Sequence, residues 1–132
     1  MAVGPEFILE HARDIRILLV DDVKDHLDMV DTFVAGWGIA TSLAFNGLEA
    51  VRVLADNPID IVITDISMPE MDGMELLNHI RANYPHIDVI AATGFSEKYT
   101  YTDVVMAGAV DFICKPFGQD ELKAKLFRII RE

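Results

Sequence analysis

Two adjacent carboxylates, Asp21 and Asp22, close the apolar run Ile15–Val20, and a third, Asp65, closes the run Ile59–Thr64. A hydroxyl, Thr93, follows Asp88–Ala92, and an ammonium, Lys115, follows Ala109–Cys114. If these runs are neighbouring strands of one sheet, three acids, a hydroxyl and an amine meet at a single edge. Clustered carboxylates repel one another, and burying them unpaired is costly. A hard divalent cation with oxygen ligands resolves that conflict. Magnesium fits best, because it keeps several waters and takes only one or two carboxylates plus phosphate oxygens. Lys115 adds a positive charge that can pair with Asp65 at rest and with a phosphoryl oxygen later, while Thr93 offers a hydroxyl donor. The chemistry these residue types support is acceptance of a phosphoryl group by the Asp65 carboxylate.

The elements that must position them alternate along the chain. Helical patterns are expected over Asp25–Trp37, with Leu27, Val30, Val34 and Trp37 on one face, and over Leu48–Asp56, Met74–Asn83, Glu97–Ala107 and Gln119–Arg131. A further strand is expected over Ile39–Phe45. Asn57-Pro58, Met68-Pro69 and Asp72-Gly73 break the chain between elements. Five strands alternating with five helices predict an α/β fold with a doubly wound sheet of parallel strands and helices on both faces. Near-continuous apolar runs are what strands buried on both faces require. In such a sheet the strand ends share one edge, where a crevice at a topological switch point accepts ligands.

The pair in LLVDD, Asp65 in ITDISMPEMDGMELL, Thr93 in AATG and Lys115-Pro116 in DFICKPF together resemble the receiver domain of two-component response regulators. The resemblance spans about residues 15–131. It implies the flavodoxin-like strand order 2-1-3-4-5 of chemotaxis receivers. It also implies that Asp65 takes a phosphoryl group from a histidine kinase or phosphotransfer protein. Asp22, Asp65 and the backbone carbonyl of Ser67 would hold Mg2+ (Mn2+ as a substitute), with Asp21 acting mostly through water. Thr93 and Phe112 would form a switch pair that repacks the surface of helix four, strand five and helix five. That surface would address a downstream effector domain or protein, and homodimerisation would use the same face, where Asp111 and Lys125 match part of a cross-dimer ion-pair set. Helix one is where kinases commonly dock in this family.

Plainer roles compete with these. A lone Asp before a helix is ordinary N-capping, but three acids at strand ends are not. Phe112 is a core aromatic unless the resemblance holds. Cys114 lies in an apolar run and is expected as a buried small hydrophobe. His11, His26, His79 and His86 show no ligand spacing, and His26 is expected at an exposed helix position. Met68 and Met71 are expected to pack against helix three. Ser67 and Phe95 flank the expected path of an attacking water, so both would tune the lifetime of a phosphorylated form.

The chain has 132 residues, enough for one domain with a proper core, and hydrophobic residues make up 52%. Met1–Phe7 reads as a remnant of cloning, leaving residues 8–132 as a single receiver domain. A net charge of −11 disfavours nucleic-acid binding by this chain alone and docking on anionic membranes. No apolar run is long enough to span a bilayer, and with one cysteine the reading points to the cytoplasm. Two other functions were weighed. A phosphatase-type hydrolase with an aspartyl-phosphate intermediate would place a second acid two residues after the nucleophile, where Ser67 stands. A degenerate docking receiver would have lost an acid or the lysine. The chain is therefore read as a signalling domain, not an enzyme, standing alone or cut from a larger regulator or hybrid kinase.

Overall fold

The β-branched runs form strands because their side chains pack well on a pleated surface covered from both sides. The computed structural model describes residues 14–68, 71–94 and 99–131. In chain order it contains β1 (Arg16–Val20), α1 (Lys24–Gly36), β2 (Ala40–Ala44), α2 (Gly47–Asp56), β3 (Ile61–Asp65), α3 (Gly73–Asn83), β4 (Asp88–Thr93), α4 (Tyr101–Met106), β5 (Asp111–Cys114) and α5 (Gln119–Arg131). The expected boundaries hold to within a few residues, and the N-terminal end of the fourth expected helix falls on residues outside those described, as does Met1–Phe7.

All four strand pairings are parallel, and the order is β2-β1-β3-β4-β5. This is the α/β doubly wound architecture, with β3 in the centre. Side chains alternate across each strand, so the two faces can be read from residue parity. Ile17, Leu19, Ile61, Ile63, Ile90, Ala92 and Ile113 pack under α1 and α5, against Leu27, Val30, Val34, Leu122, Leu126 and Ile129. Leu18, Val20, Val62, Val89 and Ala91 face the other way, toward Ala50 and Leu54 of α2, Leu76, Leu77 and Ile80 of α3, and Val104 of α4. Met68 and Met71 join this second layer, and Met71 lies against Gly47 at the start of α2.

Local chemistry starts the helices that follow the site strands. Asn46 caps α2 by accepting the Glu49 N–H at 2.8 Å, and Asp72 caps α3 by accepting the Glu75 N–H at 2.9 Å. Thr100 and Asp103 form a reciprocal capping box on α4. Trp37 is almost buried at the end of α1, its ring edge-on to Phe127 of α5. Cys114 is exposed rather than buried. It shares its strand face with Phe112 and is the last residue of edge strand β5.

Candidate active site

Parity gathers the charged residues. Asp21 continues the series Ile17, Leu19; Asp65 continues Ile61, Ile63; and Lys115 continues Ile113, so all three lie on the α1/α5 side, Asp65 as the last residue of β3 and the other two one residue past their strands. The central position of β3 buries Asp65, which is 6% exposed, and Asp21 is 4% exposed. The backbone N–H of Lys115 donates to the Thr93 carbonyl at 2.7 Å, carrying the β4–β5 ladder one residue beyond the strand. Its side chain then crosses the edge to both acids, with Nζ 3.0 Å from Asp21 Oδ2 and 3.1 Å from Asp65 Oδ2.

Each acid has further partners. Asp21 Oδ1 accepts the Val23 N–H at 2.9 Å, and Asp21 Oδ2 also meets Nδ1 of His26. Asp65 Oδ1 accepts the Ser67 N–H at 3.3 Å. Burial pushes the Asp21 carboxyl up, but the Val23 N–H, Lys115 and His26 together outweigh it and hold the group below the ordinary carboxylate range. Asp65 goes the other way. Burial raises it, Lys115 only partly offsets this, and the negative charge of Asp21 raises it further.

Asp22 is exposed at the mouth, and one oxygen from each of Asp21, Asp22 and Asp65 lies within 4.8 Å of the others. Among the described residues three carboxylates face one ammonium, and Asp65 is already pushed toward its protonated form. A divalent cation would relieve this excess of negative charge, and an all-oxygen donor set suits a hard ion. The cluster therefore fits a metal.

Thr93 and Phe112 belong to the opposite face of β4 and β5. Thr93 follows Val89 and Ala91 in parity, and its hydroxyl donates to the Gly94 carbonyl at 3.0 Å. Phe112, opposite Ala91 in the register, is partly buried against the α2–α4 layer, with the Tyr101 ring 4.3 Å away, centroid to centroid. Phe95 lies outside the described residues.

The family model for the response regulator receiver domain matches residues 17–127. The chain belongs to that family. Its receiver domain is similar to the transcriptional regulatory protein ZraR of Klebsiella oxytoca, with 37% identity over 110 residues that cover 83% of this chain and 25% of that protein. It is also similar to the regulatory protein AtoC of Escherichia coli K12, with 38% identity over 116 residues, 88% of this chain and 25% of that one. The chain thus spans about a quarter of the length of these curated relatives. Among solved structures, the receiver domain of NtrX from Brucella abortus superposes with a TM-score of 0.82 at 32% identity, covering 87% of this chain and 98% of that one. A response regulator receiver domain protein from Clostridium thermocellum gives a TM-score of 0.83 at 28% identity, covering 89% and 94%. The chain is accordingly the receiver domain of a two-component response regulator, a family whose general function is phosphorylation on aspartate. No helix among the described residues is long and apolar enough to cross a membrane.

Two residues beside this receiver site carry no site role in the sequence reading. His26 is partly buried, not exposed: its ring touches Asp21 and packs edge-on to Phe117, 5.5 Å away between centroids. The available signal was its place four residues before the buried Val30 on α1. Gly73 was read only as a chain breaker. A Cβ there would stand 2.1 Å from the Asp65 carbonyl oxygen and 2.6 Å from Ile66 Cα, so only glycine lets α3 start this close behind the acceptor strand.

Proposed function

We propose that Asp65 is the phosphoryl acceptor of this receiver domain. The observation that carries the reading is the single Lys115 ammonium shared between the buried Asp21 and Asp65 carboxylates, beside the exposed Asp22. Asp22, Asp65 and the Ser67 carbonyl would hold Mg2+, with Asp21 acting through water; Mn2+ would substitute. The bound cation supplies positive charge to the oxygens of the transferring group. An Asp65 carboxylate oxygen forms the new O–P bond as the P–N bond of a donor phosphohistidine breaks. The imidazole leaves with the electron pair and takes up a proton. Lys115 turns from the Asp65 carboxylate to a phosphoryl oxygen, where charge stabilisation does most of the catalytic work.

The Thr93 hydroxyl then leaves the Gly94 carbonyl for a phosphoryl oxygen, and Phe112 moves inward behind it. This repacks the surface formed by α4, β5 and α5, which addresses an effector domain or protein and can serve homodimerisation. Asp111, on that surface, is engaged within the chain by Lys125 at 3.4 Å and Arg128 at 2.6 Å. Ser67 in place of an acid favours a held phosphoryl group over steady turnover, and Phe95 would slow an attacking water. The setting for this exchange is the cytoplasm, with a histidine kinase or phosphotransfer protein as donor.

Incubation with magnesium and acetyl phosphate, followed by intact mass, tests the acceptor. One added phosphoryl is expected on the native chain, none on Asp65→Asn, and none with chelator. Full labelling of Asp65→Asn would refute the assignment.

A further inference from the structure

We infer that His26 is a positioning residue for phosphoryl transfer: it holds Asp21 in place when Lys115 leaves it. This rests on the reading of Asp65 as acceptor. Asp21 Oδ2 has two side-chain partners, Lys115 Nζ at 3.0 Å and His26 Nδ1, and Lys115 is also shared with Asp65. Lys115 cannot move to an incoming phosphoryl oxygen without withdrawing from Asp21, a carboxylate that is only 4% exposed. A buried acid left with one backbone partner would be costly, and Asp21 would retain the lysine.

His26 removes that obstacle. With the hydrogen on Nδ1 it donates to Oδ2 whether or not Lys115 is present. The ring is fixed from the far side by the edge-on Phe117 of the β5–α5 connection, and its Nε2 is buried with no partner among the described residues. A narrow, mostly apolar pocket between α1 and the sheet is bordered by His26, Asp21, Asp65 and Phe117 along with Leu27 and Ile63, so His26 and the acceptor strand end border the same space. Hydrogen bonds to carboxylates of a metal site orient them and commonly change metal affinity by about tenfold or more.

Three variants separate this role from packing. Asparagine can present its amide nitrogen where Nδ1 stands, glutamine places it nearer Nε2, and leucine has no donor. Mg2+ affinity of the unphosphorylated protein is read by titration calorimetry, and the phosphorylation rate by intact mass at saturating Mg2+ with varied acetyl phosphate. For His26→Leu and His26→Gln we expect Mg2+ binding about tenfold weaker. Their maximal phosphorylation rate should also fall, with the half-saturating donor concentration unchanged. His26→Asn should restore both. If His26→Leu does not fold, the Asn and Gln pair decides. Equal behaviour of Asn and Gln, or a native-like Leu variant, overturns the inference. Failure of the native chain to label on Asp65 would instead sink the acceptor reading, while calorimetry would still report the His26–Asp21 coupling.

Discussion

Replacing Lys115 by methionine keeps the unbranched side chain to within one atom of its length and removes the charge that two buried acids share. At 3.0 and 3.1 Å, and with an effective dielectric of about 20, each contact attracts by about 5 kcal/mol before desolvation is counted. Much of that is offset by taking the ammonium out of water, but removing one partner of a buried pair still costs about 3–5 kcal/mol. The Lys115 side chain is 20% exposed, so the lower end applies, and a loss of about 3 kcal/mol is expected at pH 7.5 in chelator. The loss should shrink in acid. With the lysine gone, Asp21 and Asp65 repel, and the folded variant binds up to one more proton than its unfolded chain. Stability then falls as pH rises, by at most about 1.4 kcal/mol per unit over the range in which that proton is lost. Saturating magnesium at about a hundredfold over its dissociation constant should return about 2.7 kcal/mol. Urea unfolding followed by the fluorescence of Trp37, the single tryptophan, reads all three arms. Equal midpoints for variant and native chain at pH 7.5 in chelator would refute the reasoning, as would a larger loss at pH 5.5 than at pH 7.5.

Gly73→Ala drives a methyl group into the Asp65 carbonyl; the expected loss is roughly 3 kcal/mol, with slower phosphorylation because the acceptor strand must shift, both checked by urea midpoints and intact mass. Cys114, being exposed, should react fully with a thiol reagent in the folded protein; protection until denaturant is added would contradict its placement.

Much of the site was legible because it depends on short-range order. A strand that alternates faces fixes the side on which its next residue lies, so Asp21, Asp65 and Lys115 follow from where Leu19, Ile63 and Ile113 are buried. His26 was not legible in the same way. Its contact with Asp21 depends on how α1 is seated over the sheet and on Phe117, a residue ninety positions away. Cys114 differs from its expectation because an apolar run signals burial only where both faces are covered, and Cys114 is the last residue of an edge strand. Gly73 looks like any helix-starting glycine until the backbone of Asp65 is placed behind it.

The same parity gives the proposed switch a physical basis. The acids and Lys115 project on the α1/α5 side, whereas Thr93 and Phe112 lie on the α2–α4 side of β4 and β5. On that proposal a phosphoryl group on Asp65 would sit across the strand edge from the residues that report it. The shortest connection is the end of β4, where the Thr93 carbonyl already holds the Lys115 backbone at 2.7 Å while the Thr93 hydroxyl is bonded to Gly94 at 3.0 Å. One residue is thus tied by its backbone to the charged face and by its side chain to the other. If the hydroxyl turns to the phosphoryl oxygen, the space opened lies beside Phe112, whose ring meets that of Tyr101 of α4 at a tilt of 47°. The output would then begin at the α4 and β5 part of the proposed surface, where Tyr101, Val105, Met106 and Val110 are already exposed. The α1/α5 face is held by a continuous apolar layer that ties α1 and α5 to β1, β3, β4 and β5.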